Sequence, residues 1–162
     1  MCCRLSIRCA GVIPEKIALE LGAEYMLDSG FQKRLEKGVQ PLYGDCMLVE
    51  TSYFSPPNNL DELLYDVSLA GYTPVIAHPE RYLYMRYGDY CELKDKGYLL
   101  QLNLLSLSGY YGKQVMKNAE TLLEKGMYDM VGTDLHNLET FGKWIGNVRL
   151  TDKLAREIMS LR

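Results

Sequence analysis

Apolar segments begin near residues 46, 73, 98 and 128, at intervals of 27, 25 and 30 residues, and this spacing limits the fold more than any other feature. Such an interval holds one strand, one helix and two turns, and is too long for a hairpin. It predicts parallel strands at Cys46–Thr51, Thr73–Ala77, Tyr98–Asn103 and Tyr128–Thr133, joined by right-handed crossovers. Helical patterns fall between them at Leu60–Ala70, Tyr87–Lys96 and Lys113–Lys125. Each of these helices meets a glycine (Gly71, Gly97, Gly126) where a left-handed C-terminal residue is wanted. Asn59, after Pro56-Pro57-Asn58, is a plausible N-cap for the first. A closing helix is expected over Thr151 to Arg162, with Thr151 as N-cap and Leu154, Ile158 and Leu161 on one face.

Four or five βα units make more than half of a barrel, and 162 residues are few for eight strands. No internal repeat, low-complexity stretch or linker divides the sequence, so a single domain is expected. With 48% hydrophobic and 24% charged residues, the composition is that of an ordinary folded domain. The net charge of -3 comes without a basic run, which argues against nucleic-acid binding. No apolar stretch reaches membrane-spanning length. Five cysteines without a regular framework, and a first segment whose Arg4 and Arg8 interrupt any signal-like core, point to a reducing cytoplasm.

Both histidines of the chain sit where a strand is expected to end. His78 closes Thr73-Pro-Val-Ile-Ala-His78 and His136 closes Tyr128-Asp-Met-Val-Gly-Thr-Asp-Leu-His136. Strand tips are where α/β folds present reactive groups. One histidine at a tip can simply hydrogen-bond its own loop. Two, with Asp134 beside the second and Arg81 beside the first, point to a convergent polar site. Glu24, His78, Asp134 and His136 are oxygen and imidazole donors of the kind that hold Mn, Fe or Zn. Asp134 and His136 are alternate residues, which in extended chain face the same way. Arg81 is the natural anion partner, its alternative being a surface ion pair with Glu80 or another acid.

Other features carry less. The segment Pro14 to Glu24 fits either a helix ending at Gly22 or a strand over Ile17 to Ala23 that delivers Glu24 to its tip, and the acid favours the strand. Cys2 and Arg8 have the Cys-x5-Arg spacing of thiol phosphatases, but no strand precedes them and no glycine lies between, so the match is accidental. Tyr82, Tyr84, Tyr87 and Tyr90 either line a cleft for an aromatic substrate or pack half-buried on helices. Gly109-Tyr-Tyr-Gly112 is a turn that could offer backbone amides to an anion.

The segments Gly22-Ala-Glu-Tyr-Met-Leu-Asp28, Leu48-Val-Glu-Thr-Ser-Tyr53, Gly71 to Tyr82, Gln101-Leu-Asn103 and Thr133-Asp-Leu-His-Asn137 together resemble a known family. They are similar, from about Leu19 to Asn137, to bacterial tyrosine phosphatases of the polymerase-and-histidinol-phosphatase (PHP) superfamily, which regulate capsular and extracellular polysaccharide synthesis. The resemblance implies a distorted, TIM-like β/α barrel with outer helices and a multinuclear Mn centre. It makes Glu24 a bridging carboxylate, His78, Asp134 and His136 further ligands, and Arg81 the phosphate-binding residue. It also implies, as substrate and partner, the phosphorylated tyrosine-rich tail of a capsule-assembly kinase.

The family's opening His-x-His motif has no counterpart in this sequence, and residues 1–18 do not resemble the family. The expectation is therefore the C-terminal portion of such a barrel, with impaired activity and with open edges that favour a homodimer. The same fold also suits a histidinol-phosphatase-like phosphomonoesterase, and a non-catalytic remnant that binds the kinase tail is a third alternative.

Overall fold

A computed structural model describes residues 21–161. Five strands form one parallel sheet: β1 (Glu24–Met26), β2 (Cys46–Glu50), β3 (Thr73–Ala77), β4 (Leu99–Asn103) and β5 (Met130–Gly132). Each pairs with the next, in the order β1-β2-β3-β4-β5. This sequential winding is that of a β/α barrel and not of a doubly wound sheet. Among the described residues β1 and β5 each have one neighbour, so the sheet is open. The helices are α1 (Phe31–Glu36), α2 (Leu60–Leu69), α3 (Tyr87–Asp95), α4 (Lys113–Glu124), α5 (Leu138–Ile145) and α6 (Asp152–Ser160). None of the described helices is long and apolar enough to cross a membrane.

The expected strands 46–51, 73–77, 98–103 and 128–133 and the three helices between them all form, shifted by no more than a few terminal residues. The glycines at 71, 97 and 126 take φ of 87°, 82° and 65° just past α2, α3 and α4. Thr151 caps α6 by accepting from the Leu154 amide, and Leu154, Ile158 and Leu161 pack on the core. Asn59 forms no side-chain cap; only its carbonyl accepts from the Leu63 amide. Glu24 opens β1 instead of following a strand, because the turn at Asp28 and Gly30 is what ends it. The remainder of the expected strand over Ile17 to Ala23, the Cys2–Arg8 pair and the leader reading fall wholly or partly outside the described residues.

Alternation along the strands divides the core in two. Met47, Val49, Ile76, Leu100 and Leu102 pack on the helices with Leu63, Leu64, Val67, Ala119, Leu122 and Leu123. Each such side chain contributes roughly 1.5–3 kcal/mol by leaving water. The other face carries a smaller cluster, Cys46, Leu48, Val75, Ala77 and Met130. Glu24 is in register with Leu48 and therefore shares this second face, as does Glu50 two residues on. At the C-terminal end of the strands, the inner face turns from apolar to ionisable.

Candidate metal centre

Within the described residues, only two non-glycine residues have positive φ: His78 (35°) and Asp134 (45°). Left-handed backbone costs such residues about 1–3 kcal/mol and persists where surrounding contacts enforce it. They lie just beyond β3 and β5, and the cleft between these tips holds the candidate site. It measures about 380 Å³ and is lined by Glu24, Glu50, Tyr53, Arg81, Asp134 and His136, with apolar residues farther along.

On the β1–β3 side, the buried His78 imidazole points its Nε2 at two carboxylates. Glu24 Oε1 is 3.3 Å away and Glu50 Oε2 is 3.5 Å away. Tyr53 and Tyr82 pack against the ring, with centroids at 5.6 and 5.8 Å. Burial alone would lower the His78 pKa, but the bonds to Glu24 and Glu50 outweigh it and raise it to about 9. The two acids thus demand a cation, and a proton on His78 supplies one.

On the β4–β5 side, Arg81 donates to Asp134 Oδ2 at 3.0 Å, both side chains being largely shielded. The guanidinium carbon lies over both the Tyr53 and the Tyr111 ring, 4.1 and 4.2 Å from their centroids. Asn103 approaches both Asp134 Oδ2 (3.4 Å) and Tyr111 Oη (3.3 Å). His136 is exposed, with Nδ1 2.9 Å from the Asp134 carbonyl and 3.2 Å from its carboxylate. A carbonyl only accepts, so Nδ1 is the donor in this contact. Asp134 and His136 meet through this left-handed turn and not through strand alternation, since β5 ends at Gly132.

Glu80 is not the surface partner of Arg81. It is fully buried and accepts from the Asn103 amide (3.1 Å), Ser106 Oγ (2.6 Å) and Tyr128 Oη (3.0 Å). Through these bonds it ties the turn that carries His78 and Arg81 to the end of β4. Nor do the four clustered tyrosines line the cleft. Tyr82 and Tyr90 are core residues, Tyr84 stacks on Tyr82, and Tyr87 lies outside the cleft. The cleft tyrosines are Tyr53, Tyr110 and Tyr111.

Comparison with known proteins decides the family. A family model described as capsular polysaccharide synthesis, CpsB/CapC, matches residues 7–143. The chain belongs to this CpsB/CapC family. It is 36% identical over 96 residues to tyrosine-protein phosphatase YwqE of Bacillus subtilis (strain 168), covering 58% of this chain. It is 30% identical over 139 residues to tyrosine-protein phosphatase CpsB of Streptococcus pneumoniae, covering 79% of this chain. The matches span only 38% and 56% of these relatives' own lengths. A solved structure, from work on YwqE and CpsB as unique metal-dependent tyrosine phosphatases, matches with a TM-score of 0.67 at 30% identity. That match covers 78% of this chain and 53% of the other.

The donors of this CpsB/CapC chain fit a metal. Glu24, Glu50 and His78 each offer a ligand atom, all within 4.8 Å of one another. Two carboxylates and one imidazole are the mixed oxygen–nitrogen set that suits divalent Mn, Fe or Zn. Two carboxylate oxygens converge on one imidazole nitrogen, at 3.3 and 3.5 Å, an arrangement that suits a positive charge between them. Of the four predicted ligands, the structure brings Glu24 and His78 together, and sets Asp134 and His136 across the cleft with Arg81. Glu50 is the residue that the sequence reading did not single out. Its signal was present: an acid closing the apolar run of β2, as His78 follows that of β3.

Proposed function

We propose that this chain is a metal-dependent phosphatase domain acting on protein tyrosine phosphate in capsular polysaccharide synthesis. The observation that carries the reading is the approach of Glu24 and Glu50 to His78 Nε2, at 3.3 and 3.5 Å, in the same cleft as the tyrosine-clamped Arg81. The names of the two relatives support it, each being a tyrosine-protein phosphatase.

In this reading Glu24, Glu50 and His78 hold a divalent ion, with Asp134 and His136 as further ligands from the opposite side. The ion, when bound, supplies Lewis acidity to the phosphoryl group and to the attacking water. Arg81 binds the phosphoryl oxygens through its remaining N–H groups and offsets their charge. Asp134 fixes the orientation of that guanidinium. The Nδ1–H of His136, bonded to the Asp134 carbonyl, leaves Nε2 as the ring nitrogen that would ligate.

The proposed ion is Mn, the proposed substrate is the phosphotyrosine tail of a capsule-assembly kinase, and the proposed compartment is the cytoplasm. The proposed partner also includes a second copy of the chain, paired through an open edge of the sheet; a single monomeric species in size-exclusion chromatography would rule that out. The test of function is phosphate release from a phosphotyrosyl peptide by the Mn-loaded chain, with and without chelator. Chelator-sensitive release from that peptide, and slower release from histidinol phosphate, is the expected result. The reverse preference would make the chain a small-metabolite phosphatase. No release from either would leave it a binding domain.

A further inference from the structure

Arg81 is slotted between two rings. The Arg81 guanidinium carbon lies 4.1 Å from the Tyr53 ring centroid and 4.2 Å from that of Tyr111, so the guanidinium already stacks on two rings of the chain itself. Its planar fork of N–H donors suits an oxyanion. A ring attached to that oxyanion needs a surface of its own.

The cleft continues past Arg81, away from Glu24 and Glu50, onto segments that follow β4 and β5. Its wall there is Leu105, Tyr110, Leu135 and Phe141. Tyr110 is braced edge-on by Tyr111 at 4.7 Å and by Trp144 at 5.5 Å. Phe141 comes from α5, a strongly amphipathic helix none of whose residues is fully buried. Its apolar side is therefore not consumed by the core. An aromatic wall beside a fixed anion site has the shape and chemistry to receive a phenyl ring.

We propose that Tyr110 and Phe141 form a ring-binding subsite that makes the cleft selective for aryl over alkyl phosphate monoesters. This inference rests on the phosphatase reading above, because it needs Arg81 and the metal site to hold the phosphoryl group. Neither residue touches the reacting atoms. They determine specificity by packing on the leaving group.

Binding of phosphonates tests it without turnover. Trp144 is the single tryptophan of the chain and touches Tyr110, so its fluorescence reports occupancy of the wall. Mn-loaded protein is titrated with phenylphosphonate and with methylphosphonate, the latter also followed by calorimetry. The expected result is phenylphosphonate binding on the order of tenfold tighter, the yield of packing one ring against aromatic neighbours. Phe141→Ala should erase most of that preference, and Phe141→Tyr should restore it. A melting curve checks that each variant is folded, with Phe141→Leu replacing Phe141→Ala if the latter is not. Equal affinity for the two ligands in the unaltered chain would overturn the subsite and leave the phosphoryl site standing. Absence of binding by either would overturn both readings. A preference that survives in folded Phe141→Ala and in Tyr110→Ala would place the ring somewhere other than this wall.

Discussion

The two sides of the cleft solve different electrostatic problems. On the β1–β3 side, two carboxylates face one buried imidazole, and the group carries more negative charge than its neighbours neutralise. On the β4–β5 side, Asp134 is already paired with Arg81, and Arg81 is enclosed by two tyrosine rings. On the first side the positive charge beside the acids is a proton on His78, which a metal ion would replace. The second side holds the permanent cation of Arg81. Each side contains one of the two left-handed non-glycine residues found among those described, so backbone strain is divided between them. On the proposed reading, metal retention falls mainly to the first side and phosphoryl recognition mainly to the second.

The largest expected effect tests that assignment directly. His78→Ala or Glu50→Gln should strip metal from the protein, lowering affinity by more than the roughly 10–100-fold that loss of a ligand's supporting partner costs. His136→Ala changes an exposed side chain and should leave metal on Glu24, Glu50 and His78. Elemental analysis after Mn loading and desalting measures both. Equal loss from the two sides would merge them into one centre. Next in size is Arg81→Ala, which should lower kcat/KM for a phosphotyrosyl peptide by roughly 10²–10³-fold while metal content stays unchanged. Arg81→Lys should recover little, because a compact ammonium does not fill a planar slot between two rings. Metal released by Arg81→Ala would show that Asp134 has no separate role on its own side.

How much of this was legible in the sequence depended on distance along the chain. The βα spacing and the glycines after the helices reported strands and helices well, since both are local properties of the backbone. His78 could be nominated from its strand-tip position, whereas Glu24 was nominated for a tip it does not occupy, since it opens β1, and that Glu50 completes their group was not legible. Lateral neighbours across a sheet are set by register, and register is not written in any short segment. Arg81 was identifiable as an anion partner, whereas its clamp was not. Tyr53 and Tyr111 lie 28 residues before it and 30 after it. The tyrosines closest in sequence, from Tyr82 to Tyr90, drew attention and proved to lie outside the cleft, two of them in the core. Glu80 misled for a similar reason: a charged residue beside Arg81 reads as its partner, but it turns inward to three donors.

Glu80 also offers the third test, because it is what ties the two sides together. It sits between His78 and Arg81 in sequence and bonds to the Asn103 amide, while the Asn103 side chain contacts Asp134. Glu80→Ala strands buried donors and should cost roughly 2–3 kcal/mol in urea unfolding. Glu80→Gln keeps the shape and most of the bonds, and should cost no more than about 1 kcal/mol. If the two sides are coupled through this residue, Glu80→Ala will impair phosphate binding at Arg81 as well as stability. Stability lost with unaltered phosphate affinity would make the sides independent.

The smallest effect concerns how β1, which carries Glu24, is anchored. Asp28 accepts from the Gly30 amide at 2.8 Å and from Arg34 at 2.6 Å, and Arg34 also reaches the Met26 carbonyl at 2.6 Å. The Arg34 guanidinium, against the opposing effect of burial and with help from the Gly30 amide, holds the Asp28 carboxyl below its ordinary value of 3.8. A folded-state pKa that is depressed gives stability above the unfolded value and loses it as pH falls through the folded one. Both side chains are substantially exposed, so screening limits the pair to about 0.2–1 kcal/mol. Asp28→Asn should therefore be slightly less stable than the unaltered chain at pH 7, and the gap should close as the acid protonates below about pH 3.8 or in high salt. Metal affinity should fall only marginally, because His78 and Glu50 are anchored by β3 and β2. A large loss of metal in Asp28→Asn would mean that the first side depends on the turn after β1 to place Glu24, and that its three donors are less independently fixed than their three separate strands suggest.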